Sequence, residues 1–125
     1  MRLLLDSHIL IWLMDGDARL TQEARNLIAD AAVVFASTAS IWELAIKASL
    51  GKLRLDIDRL ATLLDAAGIG ELEIARRHVI AAAGLPPHHG DPFDRLLVAQ
   101  AVAEHLQFLT ADPKLAAYSG LVTVV

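Results

Sequence analysis

Short apolar runs alternate with helix-length amphipathic segments along the whole chain, and that alternation restricts the fold more than any other feature. Strand-length runs separated by segments with apolar residues every three or four positions are the signature of β–α units, whose strands gather into a parallel sheet with helices on its faces. Leu3–Leu5 reads as a short buried strand ending at Asp6, and Ser7–Met14 as a helix closed by the turn Asp15-Gly16-Asp17. Thr21 begins a second helix with Leu27 and Ile28 inward, and Val33–Ala36 is the second strand, ending in Ser37-Thr38. The third helix covers Ala39–Leu50, where Ile41, Leu44, Ala45 and Ala48 recur at helical spacing before Gly51 stops it. Asp58–Ala67 is a fourth helix, Glu71–Ile74 a polar edge strand, and Ala75–Ala83 a further helix. After a Pro/Gly loop, Asp91 caps and Pro92 opens a helix whose Leu96, Leu97, Ala99, Ala101 and Val102 pack inward. Gln107–Thr110 is a strand, Asp112-Pro113 starts a short helix, and Leu121–Val125 is the last strand. The expected fold is α/β: a three-layer α/β/α sandwich around a central parallel sheet, with residues 1–125 as a single domain.

A chain of 125 residues buries about two-thirds of its unfolded surface as one domain. Apolar residues make up 55% of it and the mean hydropathy is +0.48, which calls for a rich core and for apolar surface reserved for a partner. No apolar run reaches the ~18 residues that span a bilayer. Asp6 interrupts the leucines of MRLLLDSH, so the N-terminus does not read as a signal peptide. The absence of cysteine fits a cytoplasmic location. A net charge of −4 excludes a broad basic footprint for nucleic acid. An acidic nuclease is still possible where carboxylates hold divalent cations that meet the phosphate.

Four acids carry the chemistry: Asp6, Glu43, Asp94 and Asp112, each placed where a strand hands over to a helix. In a parallel sheet these positions converge at the C-terminal edge, where doubly wound folds bind ligands. Two carboxylates roughly 5 Å apart repel by about 3 kcal/mol at an effective dielectric of ~20. Such a cluster needs protons or a cation, and oxygen-only ligands suit Mg²⁺ or Mn²⁺. Each acid also has a local explanation. Asp6 and Asp112 can cap the helices that follow them. Glu43 can close a capping box with Ser40; if Ser37 or Thr38 caps instead, it falls in the second turn and can pair with Lys47. Asp94 gains from its helix dipole, and Asp91 beside Pro92 reads first as a structural N-cap. Convergence is what the local explanations do not predict. Around the acids, Ser7 can cap or hold a ligand carboxylate, and Arg95 can neutralise an acid or meet a phosphate. His88 and His89 lie on a loop where imidazoles are ordinarily solvated, and His8, His78 and His105 form no zinc spacing. Trp12 and Trp42 sit on apolar faces as core or interface residues. There is no phosphate-cradling glycine loop, no G-x-S-x-G and no Cys–His pair, so no side-chain nucleophile is in view. An aspartyl phosphotransferase would want D-x-D after the first strand, where this chain has Asp6-Ser7-His8.

The phrases LLLDSHILIW, SIWELAIK, LPPHHGDPFDRLLVAQA and LTADPKL, in that order, closely resemble the PIN-domain family, and within it the VapC-type toxins of bacterial toxin–antitoxin pairs. The resemblance covers essentially the whole chain. It implies Mg²⁺- or Mn²⁺-dependent endoribonuclease activity, with Asp6, Glu43, Asp94 and Asp112 as the matching acids and Asp91 secondary. It further implies an RNA substrate, a cognate antitoxin bound over or near the acidic cleft, and a homodimer, with no membrane association. Arg19, Lys47, Lys52, Arg54 and Arg95 are expected on the RNA-facing rims, and Ile9, Trp12, Leu13 and the Trp42–Leu50 helix in the antitoxin groove. The rival reading is a catalytically silent PIN-like scaffold that binds only protein.

Overall fold

The computed structural model describes residues 1–125. Strand β1 (Arg2–Leu5) leads through α1 (Ser7–Asp15) and α2 (Gln22–Asp30) to β2 (Val33–Ser37). Helices α3 (Thr38–Ser49) and α4 (Ile57–Ala66) precede β3 (Gly70–Leu72), and α5 (Arg76–Ala83) and α6 (Pro92–Glu104) precede β4 (Gln107–Thr110). A 3₁₀ turn at Pro113–Ala117 leads to β5 (Val122–Val124). The strands form one sheet in the order β3-β2-β1-β4-β5, and every pairing is parallel. The chain builds outward from β1 on one side, then returns to β1's other side with β4. The switch point therefore lies between β1 and β4, where a crevice opens beyond the strand ends.

Successive residues of β1 face opposite sides of the sheet. Leu3 and Leu5 enter a cluster with Ile9, Leu10, Leu44 and Leu60 from α1, α3 and α4. Leu4 enters a second cluster with Leu97, Val98, Phe108 and Leu115 under α6 and the 3₁₀ turn. Helices cover both faces, which is the expected three-layer sandwich.

Some boundaries differ from the sequence reading. β3 runs Gly70–Leu72 rather than Glu71–Ile74, and it opens on a glycine because the Phe35 ring of β2 leaves only 3.1 Å to the position a Cβ would take. α4 starts at Ile57 because the Asp56 carboxylate accepts from the amides of Asp58 and Arg59. α6 runs to Glu104 and ends on His105 at φ 54, a left-handed cap without the usual glycine signal. Ile9, expected in a partner groove, is fully buried in the first cluster because it faces β1. No helix is long and apolar enough to cross a membrane.

Candidate active site

Asp6 is the first residue after β1 and is 4% exposed. Its Oδ2 accepts from the Thr110 hydroxyl at 2.6 Å and its Oδ1 from the Ser7 amide at 2.7 Å. Asp6 thus caps α1 while its other oxygen is tied to the end of β4, across the switch point.

Ser37, the last residue of β2, caps α3 by accepting from the Ala39 amide at 3.0 Å. The capping box through Ser40 accordingly does not form, and Glu43 falls in the second turn. It is buried, with Oε1 accepting from the Ser7 hydroxyl at 2.7 Å and Oε2 from Lys47 Nζ at 3.0 Å. Ser7 therefore orients a carboxylate, one of the two roles expected of it.

Asp91 caps α6, accepting from the amides of Phe93 and Asp94 at 2.8 and 3.1 Å. Asp94 follows in the first turn. Burial pushes its carboxyl up to about 7, and the charges of Asp6, Asp91 and Glu43 add to that shift while His89 opposes it. Burial also raises the Asp6 carboxyl, against the hydrogen bonds from Thr110 and Ser7 and the charge of His8. Glu43 raises both Asp6 and Asp94, so the three groups sense one another.

Asp112 caps the 3₁₀ turn through Oδ1, which accepts from the Lys114 amide at 3.0 Å, and its Oδ2 meets His89 Nε2 at 3.0 Å. His89 is not the solvated loop residue the sequence suggested. Its Nδ1 accepts from the Asp91 amide at 3.0 Å, which leaves the ring proton on Nε2, facing Asp112 and 3.6 Å from Asp94 Oδ2. Ligand atoms of His89, Asp94 and Asp112 all lie within 4.8 Å of one another. With the ring proton on Nε2, His89 orients rather than ligates, and the Asp94 and Asp112 carboxylates are the pair near enough to share one hard cation at ~2.0–2.6 Å per bond.

Asp6, Asp94 and Asp112 line one open pocket of about 440 Å³ with His8, Trp12 and Arg19. Glu43 does not line it; Ser7 and Lys47 cover its carboxylate, and its charge reaches the pocket from behind. A larger apolar hollow of about 660 Å³, bordered by Leu13, Met14 and Val33, carries no titratable group.

Two rim expectations need correction. Arg95 faces no acid or open cleft: its guanidinium donates to the carbonyls of Ala82, Leu85 and Pro86 at 3.0 Å each, holding the loop before α6 in place. Arg54 borders a separate depression with Asp15, Asp56 and Arg59, because the chain turns away after Leu53. Thr110 and His89 are the residues sequence reasoning missed. A threonine closing an apolar strand was a readable sign for Thr110; the Pro/Gly loop flanking the acidic edge puts His89 near the site, but ordinary solvation is the favoured reading there.

The PIN domain family model matches residues 3–121. "Ribonuclease VapC22" of Mycobacterium tuberculosis (strain ATCC 25618 / H37Rv) is 32% identical over 114 residues, 90% of this chain and 88% of that protein. A toxin–antitoxin complex from Klebsiella pneumoniae aligns with a TM-score of 0.69 at 18% identity, covering 97% of this chain and 95% of that one. VapBC2 from Rickettsia felis, bound to a DNA fragment from its promoter, aligns with a TM-score of 0.71 at 14% identity, covering 100% and 98%. A parallel sheet with acids gathered at its switch point, a family model spanning nearly all residues and a relative of this identity agree: the chain belongs to the PIN-domain family, among its VapC-type members.

Proposed function

We propose that this protein is a divalent-metal-dependent endoribonuclease that acts as the toxin of a toxin–antitoxin pair, with residues 1–125 forming one PIN nuclease domain. The observation that carries the reading is the single pocket lined by Asp6, Asp94 and Asp112 at the sheet's switch point. A pocket with three carboxylates, one of them pushed up to about 7 by burial and by the acids around it, fits a hard cation better than any neutral ligand.

Asp6, Asp94 and Asp112 are the groups that would hold Mg²⁺ or Mn²⁺, and Glu43 completes the acidic set from behind. When bound, the cation supplies a water of lowered pKa and neutralises charge building on a phosphodiester. The chain's own residues set the frame for that chemistry. Thr110 and the Ser7 amide fix the Asp6 carboxylate, and His89 donates to Asp112 and so orients it. Ser7 and Lys47 hold Glu43 in place. Asp91 remains a structural cap, and Arg95 shapes the loop that carries His89.

The Mycobacterium relative's description as a ribonuclease supports RNA as substrate, and the toxin–antitoxin complexes among the structural neighbours support an antitoxin partner. Trp42 at 62% and Ile80 at 65% exposure are apolar surface suited to an antitoxin or to a second copy in a homodimer. A cytoplasmic location is consistent with both partners. The test is cleavage of RNA by the purified protein in Mg²⁺ or Mn²⁺ and in EDTA. Asp6→Asn and Asp94→Asn should each lower the rate by at least about 10²-fold, the scale on which one electrostatic group in such a site acts. Cleavage that persists in EDTA would sink the reading.

A further inference from the structure

The acidic pocket is lined by more than acids. His8, Trp12 and Arg19 share it with Asp6, Asp94 and Asp112. The Arg19 guanidinium lies over the Trp12 ring at 5.2 Å, and the His8 ring packs against the same indole at 6.1 Å. Arg19 is held there by Asp17, which takes its Nε at 3.2 Å and its Nη2 at 2.7 Å, leaving Nη1 without a protein acceptor. The Arg19 side chain is 69% exposed, so its free donor edge is open to a phosphate arriving from solvent.

His8 also lines a second pocket, of about 280 Å³, next to the first. Its polar lining is Ser7, His8, Lys47 and Lys52. Lys47 is occupied by Glu43, whereas Lys52 pairs with no carboxylate. Beside three carboxylates in a chain of net charge −4, an exposed lysine with no carboxylate partner is a cation left free to meet a phosphate. Repulsion between like charges would otherwise keep a polyanion away from this edge, so local cations must hold its flanking phosphates.

We infer that a single-stranded RNA segment runs along α1 past the acidic pocket, held by Arg19 and Trp12 on one side and by the Lys52 pocket on the other. This rests on the nuclease reading and adds to it the path of the substrate and the residues that hold it. Arg19 Nη1 takes a backbone phosphate, Trp12 and His8 offer a π-face to an unstacked base, and Lys52 takes the phosphate beyond the scissile one. A base must leave its helix to reach the indole, so the segment is single-stranded, as in a loop.

The test measures binding of a fluorescent single-stranded 2′-O-methyl oligoribonucleotide, which resists cleavage, across a salt series. Lys52→Ala and Arg19→Ala should each raise Kd about tenfold, in line with a lost charge-assisted contact. Each should also reduce the slope of log K against log salt by about 0.7, the mark of one phosphate contact on a single strand. Arg59→Ala, a charge-matched change in the depression that holds Asp56, should do neither. In Trp42→Phe protein the remaining Trp12 emission should be quenched by the oligonucleotide, and a blunt duplex should neither quench it nor compete. If Lys52→Ala and Arg19→Ala bind like Arg59→Ala while the unaltered protein cleaves RNA, the path is overturned and the nuclease reading stands. Binding that needs both residues in a protein that never cleaves RNA would keep the path and end the nuclease reading.

Discussion

Burial, and after it the charges of Asp6, Asp91 and Glu43, pushes the Asp94 carboxyl up to about 7 despite His89. His89 is the polar group that the fold brings to this spot, with Nε2 facing Asp112 at 3.0 Å. Partners of this kind typically hold about 10–100-fold in metal affinity. His89→Ala should therefore weaken Mn²⁺ binding by at least about tenfold, read by calorimetry, with the fold retained. Unchanged affinity would reduce His89 to a loop anchor. Asp6 and Asp112 were legible in the sequence because each comes at or just after the end of a strand-like run, and Glu43 and Asp94 because each sits in the opening turns of a strongly patterned helix rather than after a strand. His89 was not, because its position depends on Arg95 gathering three distant carbonyls into one loop shape. Tertiary hydrogen bonds of this sort leave no periodic trace, and the same reasoning made Arg95 look free when it is spent.

Among the elements, α3 shows how one residue serves both folding and site. Ser37 accepts from the Ala39 amide and donates to Gln100 Oε1 at 2.5 Å, so it caps α3 and ties it to α6. Glu43 and Asp94 ride on those two helices. Ser37→Ala removes the cap and strands a fully buried amide oxygen, for a cost of about 2–3 kcal/mol. Urea denaturation should show that loss in the midpoint with an unchanged m-value. A change under about 0.5 kcal/mol would mean water replaces the hydroxyl. The order of strands and helices followed from the apolar periodicity, and the strands it named are those that form. Element ends were less legible. β3 opens on a glycine that the Phe35 ring of the adjacent strand requires, and α4 starts one residue before the expected Asp58 because the Asp56 side chain caps it, and both are contacts rather than propensities.

Across the whole molecule, the acidic edge ties stability to pH and to metal. Asp94 titrates near 7 when folded against 3.8 in a model peptide. Between those values the folded protein binds more protons than the unfolded chain. Its contribution is thus fully present below the unfolded value and lost as pH rises through 7. In EDTA the melting temperature should fall between pH 5.5 and pH 7.5. Mn²⁺ at ten times its dissociation constant should restore about 1.4 kcal/mol at pH 7.5, and less at pH 5.5, where protons compete for the same oxygens. A melting curve indifferent to metal at both values would speak for the protein-binding scaffold. One further consequence follows from the hydrogen bond between Thr110 and Asp6, which joins positions 104 residues apart. During translation the first carboxylate emerges long before the strand that fixes it, and the last acid arrives only with residue 112. A chain folded only as far as β3 already carries Asp6 and Glu43 but has no assembled pocket, so the acidic edge comes into being as one late event rather than acid by acid.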